Sequence, residues 1–140
     1  MSLKNSNASK KTHKFLLNKL KDRRTLKIYK KFESELAINK NFIVAVSGGP
    51  DSLALSFLSK IYSIKKSLDA KYFIVDHGLR KNSTSEAKNV QKKLKNFSIK
   101  LNILTWRGFK PKKNIQSIAR EKRYKLLCDR AKKYRIENIL

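Results

Sequence analysis

The 140 residues suit one domain with a single hydrophobic core, and 35 lysines and arginines against 10 acidic residues give a formal net charge of +25. This surplus favours a polyanionic partner, nucleic acid before an anionic membrane surface, although a coding bias towards lysine, asparagine and isoleucine would give a similar composition without any binding role. No apolar run reaches the roughly 18 residues of a membrane span, and the N-terminus lacks an apolar signal core, so we expect a cytoplasmic protein.

Residues 1–40 are predicted to form a basic extension with short helices, followed by a domain over residues 41–140. The first eleven residues are rich in Ser, Asn and Lys and are predicted to be disordered. Apolar residues at helical spacing predict one helix from Thr12 to about Leu20 and another from about Thr25 to Leu36. His13 lies in the charged lead-in and is expected to be exposed.

The rest of the chain is organised around the stretch from Asn41 to Lys60. Its apolar run, Phe42–Val46, is typical of a strand covered on both faces of a parallel sheet. A tight turn and the start of a helix follow, and they comprise Ser47, Gly48, Gly49, Pro50, Asp51 and Ser52. The glycines free the backbone, the proline presets a helical start, and Asp51 or Ser52 can cap the helix. Unpaired amides and a helix N-terminus then converge where a phosphate can bind.

The turn lacks the lysine of GxxxxGK[ST] and the third glycine of GxGxxG, so it fits neither of these phosphate loops. Residues 47–52 instead resemble the SGGxDS signature of the PP-loop ATP pyrophosphatases. In that family the loop grips the pyrophosphate end of ATP, and a substrate oxygen attacks the α-phosphate to give an adenylate. The resemblance implies ATP as the cofactor. Mg²⁺ is expected beside it because triphosphate chemistry is usually metal assisted, and Asp51, the predicted catalytic residue, is the nearest carboxylate candidate for a direct or water-mediated contact. An ordinary βα turn, with Asp51 as a helix cap only, is the alternative.

Beyond the turn, a helix from Ser52 to about Lys66 and a strand from Lys71 to Asp76 are predicted. Ser83 and Glu86 form an S-x-x-E capping box, which predicts that Ser83 caps a helix running to about Phe97. The alternating segment from Ser98 to Trp106 predicts a third strand, with the tryptophan in the core or at its rim.

A second resemblance begins at the end of the strand ending in Asp76. VDHGLR, residues 75–80, is similar to a block of the tRNA(Ile)-lysidine synthases. It implies that Asp76, His77 and Arg80 line the nucleotide pocket. A role in the turn and the helix cap is the alternative.

A basic loop, Gly108–Lys113, precedes a helix predicted from Ile115 to about Tyr134, with Asn114 as its cap. NIQSIAREKRY, residues 114–124, resembles a third block of the same family. Arg120 and Arg123, three positions apart on one helix face, are therefore candidate contacts to ATP phosphates or tRNA; as solvated cations they would have no such role. The single cysteine, Cys128, excludes an internal disulfide and is predicted to be a buried packing thiol.

The order of elements predicts a doubly wound, mostly parallel α/β sheet. The resemblance implies that this sheet belongs to an adenine nucleotide alpha hydrolase-like (PP-loop) domain. A last strand is predicted over Ile136–Leu140. In the resembled family that strand leads into an HxxD block. We therefore expect the chain to be a C-terminally truncated PP-loop domain, marginal in fold and inactive alone.

The resemblance implies ligation of free L-lysine to a cytidine of tRNA(Ile), through an adenylated cytidine. One alternative is a 2-thiocytidine-forming relative, which uses cysteine pairs and often a lysine at the position of Pro50; an asparagine-synthetase-like enzyme is less favoured. Another is a basic RNA-binding module that performs no chemistry. Pairing of two chains stays open.

Overall fold

The computed structural model describes residues 3–140, with side chains from Lys10 onward. A short 3₁₀ turn, Lys19–Lys21, separates the first two helices. The elements in chain order are α1 (Leu3–Asn18), α2 (Arg23–Glu35), β1 (Phe42–Val46), α3 (Pro50–Lys66), β2 (Ala70–Asp76), α4 (Ser83–Lys95), β3 (Leu101–Thr105), α5 (Ile115–Tyr134) and β4 (Asn138–Ile139).

The strands form one parallel sheet in the order β3-β2-β1-β4. In the register, Val44 of β1 lies opposite Tyr72 of β2, and Phe42 lies opposite Asn138 of β4. The strand order reverses between β1 and β4, and ligands of open α/β sheets bind at the carboxyl edge of such a switch point. The turn after β1 therefore lies where the fold favours a binding site.

Helices cover both faces of the sheet, because alternate residues of each strand point to opposite sides. On one face α1 to α4 pack on a core that includes Phe42 and Val44 of β1. On the other face Leu127 and Ala131 of α5 pack on a core that includes Ile43. The predicted doubly wound parallel α/β fold is confirmed.

The N-terminal region differs from the prediction. Described residues from Leu3 to residue 11 belong to α1 instead of being disordered. The second helix begins at Arg23, two residues earlier than predicted, because the Asp22 carboxylate accepts the Thr25 N–H at 2.8 Å and caps it. His13 is half-buried rather than exposed, and burial together with the Lys60 ammonium lowers its pKa.

The N-cap residues of α3 and α4 also differ from those predicted. Gly49 is the N-cap of α3, so neither Asp51 nor Ser52 caps it; both lie in its first turn after Pro50. Asn82, not Ser83, holds the N-cap position of α4, and its side chain accepts no hydrogen bond from the first backbone amides of the helix.

Two further expectations concern α5. Asn114 is its N-cap residue as predicted, but it has a left-handed φ of 51° and makes no side-chain cap bond. Cys128 is exposed, contrary to the prediction of a packing thiol. The buried stripe of α5 passes through Leu127 and Ala131 instead, and Cys128 lies about 100° around the helix from Leu127.

Within residues 3–140, no helix has both the length and the apolar character needed to cross a bilayer.

Candidate active site at the sheet switch point

The turn after β1 is held together by the side chain of Ser52. Its Oγ accepts the backbone N–H of Ser47 at 3.2 Å and that of Gly48 at 3.0 Å, and it donates to the Gly49 carbonyl at 3.1 Å. These bonds fold the turn back onto the first turn of α3. Two amides that the sequence offered as phosphate ligands are therefore used inside the loop.

Gly48 is required by geometry. Its φ is +89°, and a Cβ built on it would lie 2.9 Å from Cγ2 of Val90 in α4. Gly49 has φ −73°, and the nearest atom to its Cβ would be the Ser47 Oγ at 3.8 Å. Gly48 thus allows the loop to approach α4 closely, whereas the backbone at Gly49 is one that other residues adopt.

The N-terminus of α3 provides the anion-binding part of the loop. The first helical hydrogen bond runs from the Leu53 N–H to the Gly49 carbonyl at 3.1 Å. The amides of Asp51 and Ser52 precede this bond and so have no acceptor within the helix, and Pro50 has no N–H. The dipole adds partial positive charge at the same point. Asp51 itself is exposed beside it.

A cavity of about 490 Å³ opens on the side of the loop that faces α4, and we call it the α4-side cavity. It joins the phosphate loop to the end of β2, where the second motif lies. Its lining comprises Ser47, Gly48, Ile74, Val75, Asp76, His77, Ser83, Glu86, Ala87, Asn89, Val90 and Lys93.

Asp76 organises the turn after β2. It is buried, and its carboxylate accepts the Gly78 N–H at 2.9 Å and the Thr84 hydroxyl at 2.6 Å. Burial alone would raise the pKa of Asp76, but these hydrogen bonds outweigh burial and lower it. Asp76 thereby ties the end of β2 to the first turn of α4. Arg80 is exposed, and its carbonyl accepts the Ser83 N–H at 3.1 Å.

His77 lies beside Asp76 in the same cavity, with its ring edge-on to the ring of Trp106 at 6.3 Å between centroids. Among the described residues its Nδ1 is buried without a hydrogen-bond partner. Burial lowers the pKa of His77 most, and the positive charges of Arg123 and Lys110 lower it further. These effects together favour the neutral form of the imidazole.

A second cavity of about 420 Å³ opens on the other side of Ser47, between β1 and β4, and we call it the α5-side cavity. It lies at the switch point of the sheet. Its lining comprises Ala45, Val46, Ser47, Arg123, Tyr124, Leu127, Ile139 and Leu140. Ser47 is common to both cavities, so the two form a crevice that crosses the end of β1.

The two candidate arginines of the third motif, Arg120 and Arg123, differ in burial and in their position relative to the α5-side cavity. Arg123 is half-buried and lines the α5-side cavity, whereas Arg120 is exposed and lies outside its lining. The sequence reasoning assigned no role to Tyr124, which directly follows Arg123. The centroid of its ring is 5.5 Å from the Arg120 guanidinium carbon and 5.7 Å from that of Arg123. The available signal was an aromatic residue next to the arginine in the third motif.

Possible metal ligands are sparse. In the part of the chain that the structure describes, no group of three or more His, Cys, Asp or Glu side chains is close enough to hold a metal ion. Mg²⁺ needs only one or two protein carboxylates when phosphate oxygens supply other ligands. The exposed Asp51, beside the free amides of α3, fits such a role.

Comparison with known proteins agrees with the site. Residues 17–140 match the family model described as PP-loop domain. A tRNA(Ile)-lysidine synthase of Bradyrhizobium diazoefficiens is 35% identical over 113 residues, which cover 79% of this chain and 31% of the relative. The enzyme of the same name from Bartonella quintana is 43% identical over 96 residues, 67% of this chain and 20% of the relative.

A third relative, the tRNA(Ile)-lysidine synthase of Lactobacillus gasseri, is 38% identical over 103 residues, 73% of this chain and 24% of the relative. The chain thus spans between 20% and 31% of the length of these relatives. The resemblance indicated by the three motifs is confirmed. Because the match covers almost the whole chain, from residue 17 to residue 140, the chain belongs to the PP-loop domain family.

Proposed function

We propose that this chain is the ATP-binding part of a cytoplasmic ligase that joins lysine to the wobble cytidine of a CAU-anticodon isoleucine tRNA. The observation that carries the proposal is the Ser52-braced turn, in which Ser47 lines both cavities and the chain leads directly into the N-terminus of α3. The names of the relatives support the substrate, and the net charge of +25 supports an RNA partner.

In the proposed reaction, the cytidine carbonyl oxygen attacks the α-phosphorus of ATP, the bond to the bridging oxygen breaks, and pyrophosphate leaves. The lysine amine then attacks the adenylated carbon, loses a proton and displaces AMP, which leaves lysidine. The amides of Asp51 and Ser52 stabilise the charge that develops on the departing pyrophosphate. The α4-side cavity, with Ile74 and Val90 in its lining, suits the apolar faces of the adenine base.

Asp51 is proposed as the carboxylate that contacts Mg²⁺, directly or through water. Bound Mg²⁺ would neutralise negative charge on the triphosphate. The proposal is supported by the cap position of α3, which Gly49 holds, so that the Asp51 carboxylate in the first turn is not used as the helix cap. The second motif would contribute through Asp76, which fixes the wall of the α4-side cavity, and through His77, which lines that cavity.

The direct test incubates the whole gene product, and this 140-residue chain in parallel, with ATP, labelled lysine and an unmodified tRNA(Ile) transcript with the CAU anticodon. We expect lysine incorporation by the whole product with release of AMP, and ATP binding without turnover by this chain. If the whole gene product incorporates no lysine into the tRNA in the presence of ATP, the proposed function is wrong. Replacing lysine with a sulfur donor tests the 2-thiocytidine alternative, for which the described chain offers one exposed cysteine, Cys128.

Asp51→Asn in the whole product should lower the rate of adenylate formation by about a hundredfold, because a charged ligand at the triphosphate is lost. Its tRNA affinity should stay within about twofold, since one loop carboxylate contributes little to binding a polyanion. Asp129→Asn is the matched control, because Asp129 is also exposed but lies on α5 outside both cavities. Equal loss of both activities in Asp51→Asn would instead give Asp51 a role in folding.

The second candidate, a basic RNA-binding module without catalysis, is favoured by the net charge of +25 alone. Such a module would bind tRNA and ATP, release no AMP, and be insensitive to Asp51→Asn in every assay.

A further inference from the structure

We propose that Tyr124 is the stacking platform for an unpaired nucleobase of the RNA substrate, at the mouth of the α5-side cavity. The inference rests on the proposed RNA substrate and assigns a place to its reacting loop. Tyr124 is 51% exposed, a high value for a large aromatic side chain, and it lines the cavity together with Ser47 of the phosphate loop. An RNA base on this ring would lie next to the triphosphate site.

The surroundings of Tyr124 are cationic. The guanidinium carbons of Arg120 and Arg123 lie 5.5 Å and 5.7 Å from the ring, and Arg120 also donates to the Tyr124 hydroxyl at 3.4 Å. In the described part of the chain no other aromatic ring packs against it. Both guanidinium groups lie over the ring and supply positive charge, and about half of the Tyr124 surface, 51%, is still exposed to a ligand.

Another tyrosine of the same helix shows what an ordinary packing role looks like. Tyr134 is 42% exposed, but its ring lies 6.1 Å from that of Phe73, in the core beneath α5. The Lys71 ammonium lies over this ring at 4.8 Å, so a neighbouring cation does not distinguish the two tyrosines, and the aromatic partner does. Tyr134 therefore extends the hydrophobic core. Tyr124 has the same chemistry and similar exposure, but it faces a cavity instead of an aromatic partner.

The arrangement favours single-stranded RNA over a free nucleotide. Single-stranded bases stack on exposed aromatic rings while cations beside the ring bind the flanking phosphates, and this is the set of groups present here. The α5-side cavity, at about 420 Å³, is within the range of small-ligand sites, so one splayed-out nucleotide can enter it. Arg123 reaches into the cavity and Arg120 stays outside, so they can contact phosphates on either side of the stacked base.

The test measures binding of the 140-residue chain to a fluorescent RNA hairpin whose single-stranded loop contains CAU. Tyr124→Leu should weaken binding about tenfold, whereas Tyr124→Phe, which keeps the ring, should stay within about twofold of wild type. Tyr134→Leu is the matched control and should also stay within about twofold. Thermal unfolding of each variant shows whether it is folded at the assay temperature.

Three further hairpins, each with an abasic site at one CAU position, identify the stacked base. The wild-type chain should bind one of these abasic hairpins only as weakly as Tyr124→Leu binds the intact hairpin. Tyr124→Leu should bind that abasic hairpin and the intact hairpin with the same affinity. Unchanged hairpin binding by Tyr124→Leu, or equal weakening by Tyr124→Phe, would overturn the proposal.

ATP titration of the same variants separates this inference from the proposed function. Tyr124→Leu should bind ATP as the wild type does; if ATP affinity falls tenfold instead, the ring serves the adenine base and the inference is wrong. Failure of lysine transfer by the whole gene product would overturn the proposed function, while the hairpin measurements would still report whether Tyr124 binds a base.

Discussion

The two cavities that meet at Ser47 differ in how their walls are made. The α4-side cavity depends on the position of the backbone, namely a glycine turn pressed against Val90 and a strand end fixed by the buried Asp76, although Glu86 and Lys93 also line it. The α5-side cavity has long side chains at its rim, namely Arg123 and the exposed Tyr124. Under the two proposals, the α4-side cavity would hold a triphosphate and the α5-side cavity an RNA loop, and the phosphate loop would serve both.

The difference predicts which kind of substitution affects each side. A backbone-built wall fails when a Cβ or a lost hydrogen bond displaces the turn, and it tolerates changes in exposed side chains. A side-chain wall fails when a ring or a guanidinium is removed, and the fold beneath it stays intact. Each variant below acts on one wall, so its effect on the other side is the informative measurement.

Gly48→Ala should have the largest effect. Its φ of +89° is unfavourable for alanine, and the new Cβ would lie 2.9 Å from Val90. We expect a loss of about 2 kcal/mol in the free energy of unfolding, or roughly 8 °C in melting temperature. ATP binding, measured by calorimetry, should fall below detection. Hairpin binding should change by less than about threefold if the cavities are independent.

Two controls divide the Gly48→Ala effect into its causes. Gly49→Ala places a Cβ 3.8 Å from its nearest neighbour at φ −73°, so its melting temperature should stay near wild type. Adding Val90→Ala to Gly48→Ala removes the crowding but keeps the unfavourable φ. The double variant should therefore be more stable than the sum of the single effects predicts. Strict additivity would mean that the backbone angle alone is responsible.

Ser52→Ala should have the next largest effect, again on the α4 side. It removes the oxygen that accepts the Ser47 and Gly48 amides, so the turn loses its brace. About 1.4 kcal/mol of lost hydrogen bonding would weaken ATP binding about tenfold. Ser56→Ala is the matched control, since it deletes a hydroxyl that bonds a helix carbonyl, at 2.7 Å, one turn further along α3. Similar ATP affinities in the two variants would contradict a specific role of Ser52.

The fold was predictable from sequence because its signals are local and repeated. The apolar run Phe42–Val46 predicts a strand. The glycine turn after it predicts that the chain changes direction there and continues as a helix. The strand order gave no such local signal, because β1 pairs with β4 across more than ninety residues. What placed β4 was the general preference of alternating strands and helices for a doubly wound sheet.

The site was predictable in composition but not in role. Ser52 belongs to the motif, yet only the folded turn shows that its hydroxyl is used on the loop's own amides. Arg120 and Arg123 share a helix face, and only the position of β4 decides which one meets the cavity. Cys128 was misassigned for a similar reason: helical spacing fits several stripes on α5, and packing against the sheet selects one of them.

The smallest expected effect links the two sides through His77. Burial, Arg123 and Lys110 lower its pKa, while Asp76 raises it. Arg123→Gln removes a positive charge from the α5 side, so the pKa of His77 on the α4 side should rise towards its ordinary value. NMR titration of the imidazole measures this, with His13 as internal reference because the charge acting on it comes from Lys60.

Stability should follow the same change with a definite sign. In the wild type the pKa of His77 is lower in the folded state than in the unfolded chain, where it is about 6.5. Below about pH 6.5 the unfolded chain therefore binds more protons than the folded state, and the free energy of unfolding falls as the pH drops through that value. With the guanidinium removed, the folded state accepts the proton more readily and this acid-induced fall should be smaller. Chemical unfolding at several pH values between 5 and 8 measures it. If Arg123→Gln leaves both the pKa and the fall unchanged, the two cavities share Ser47 but are not coupled electrostatically.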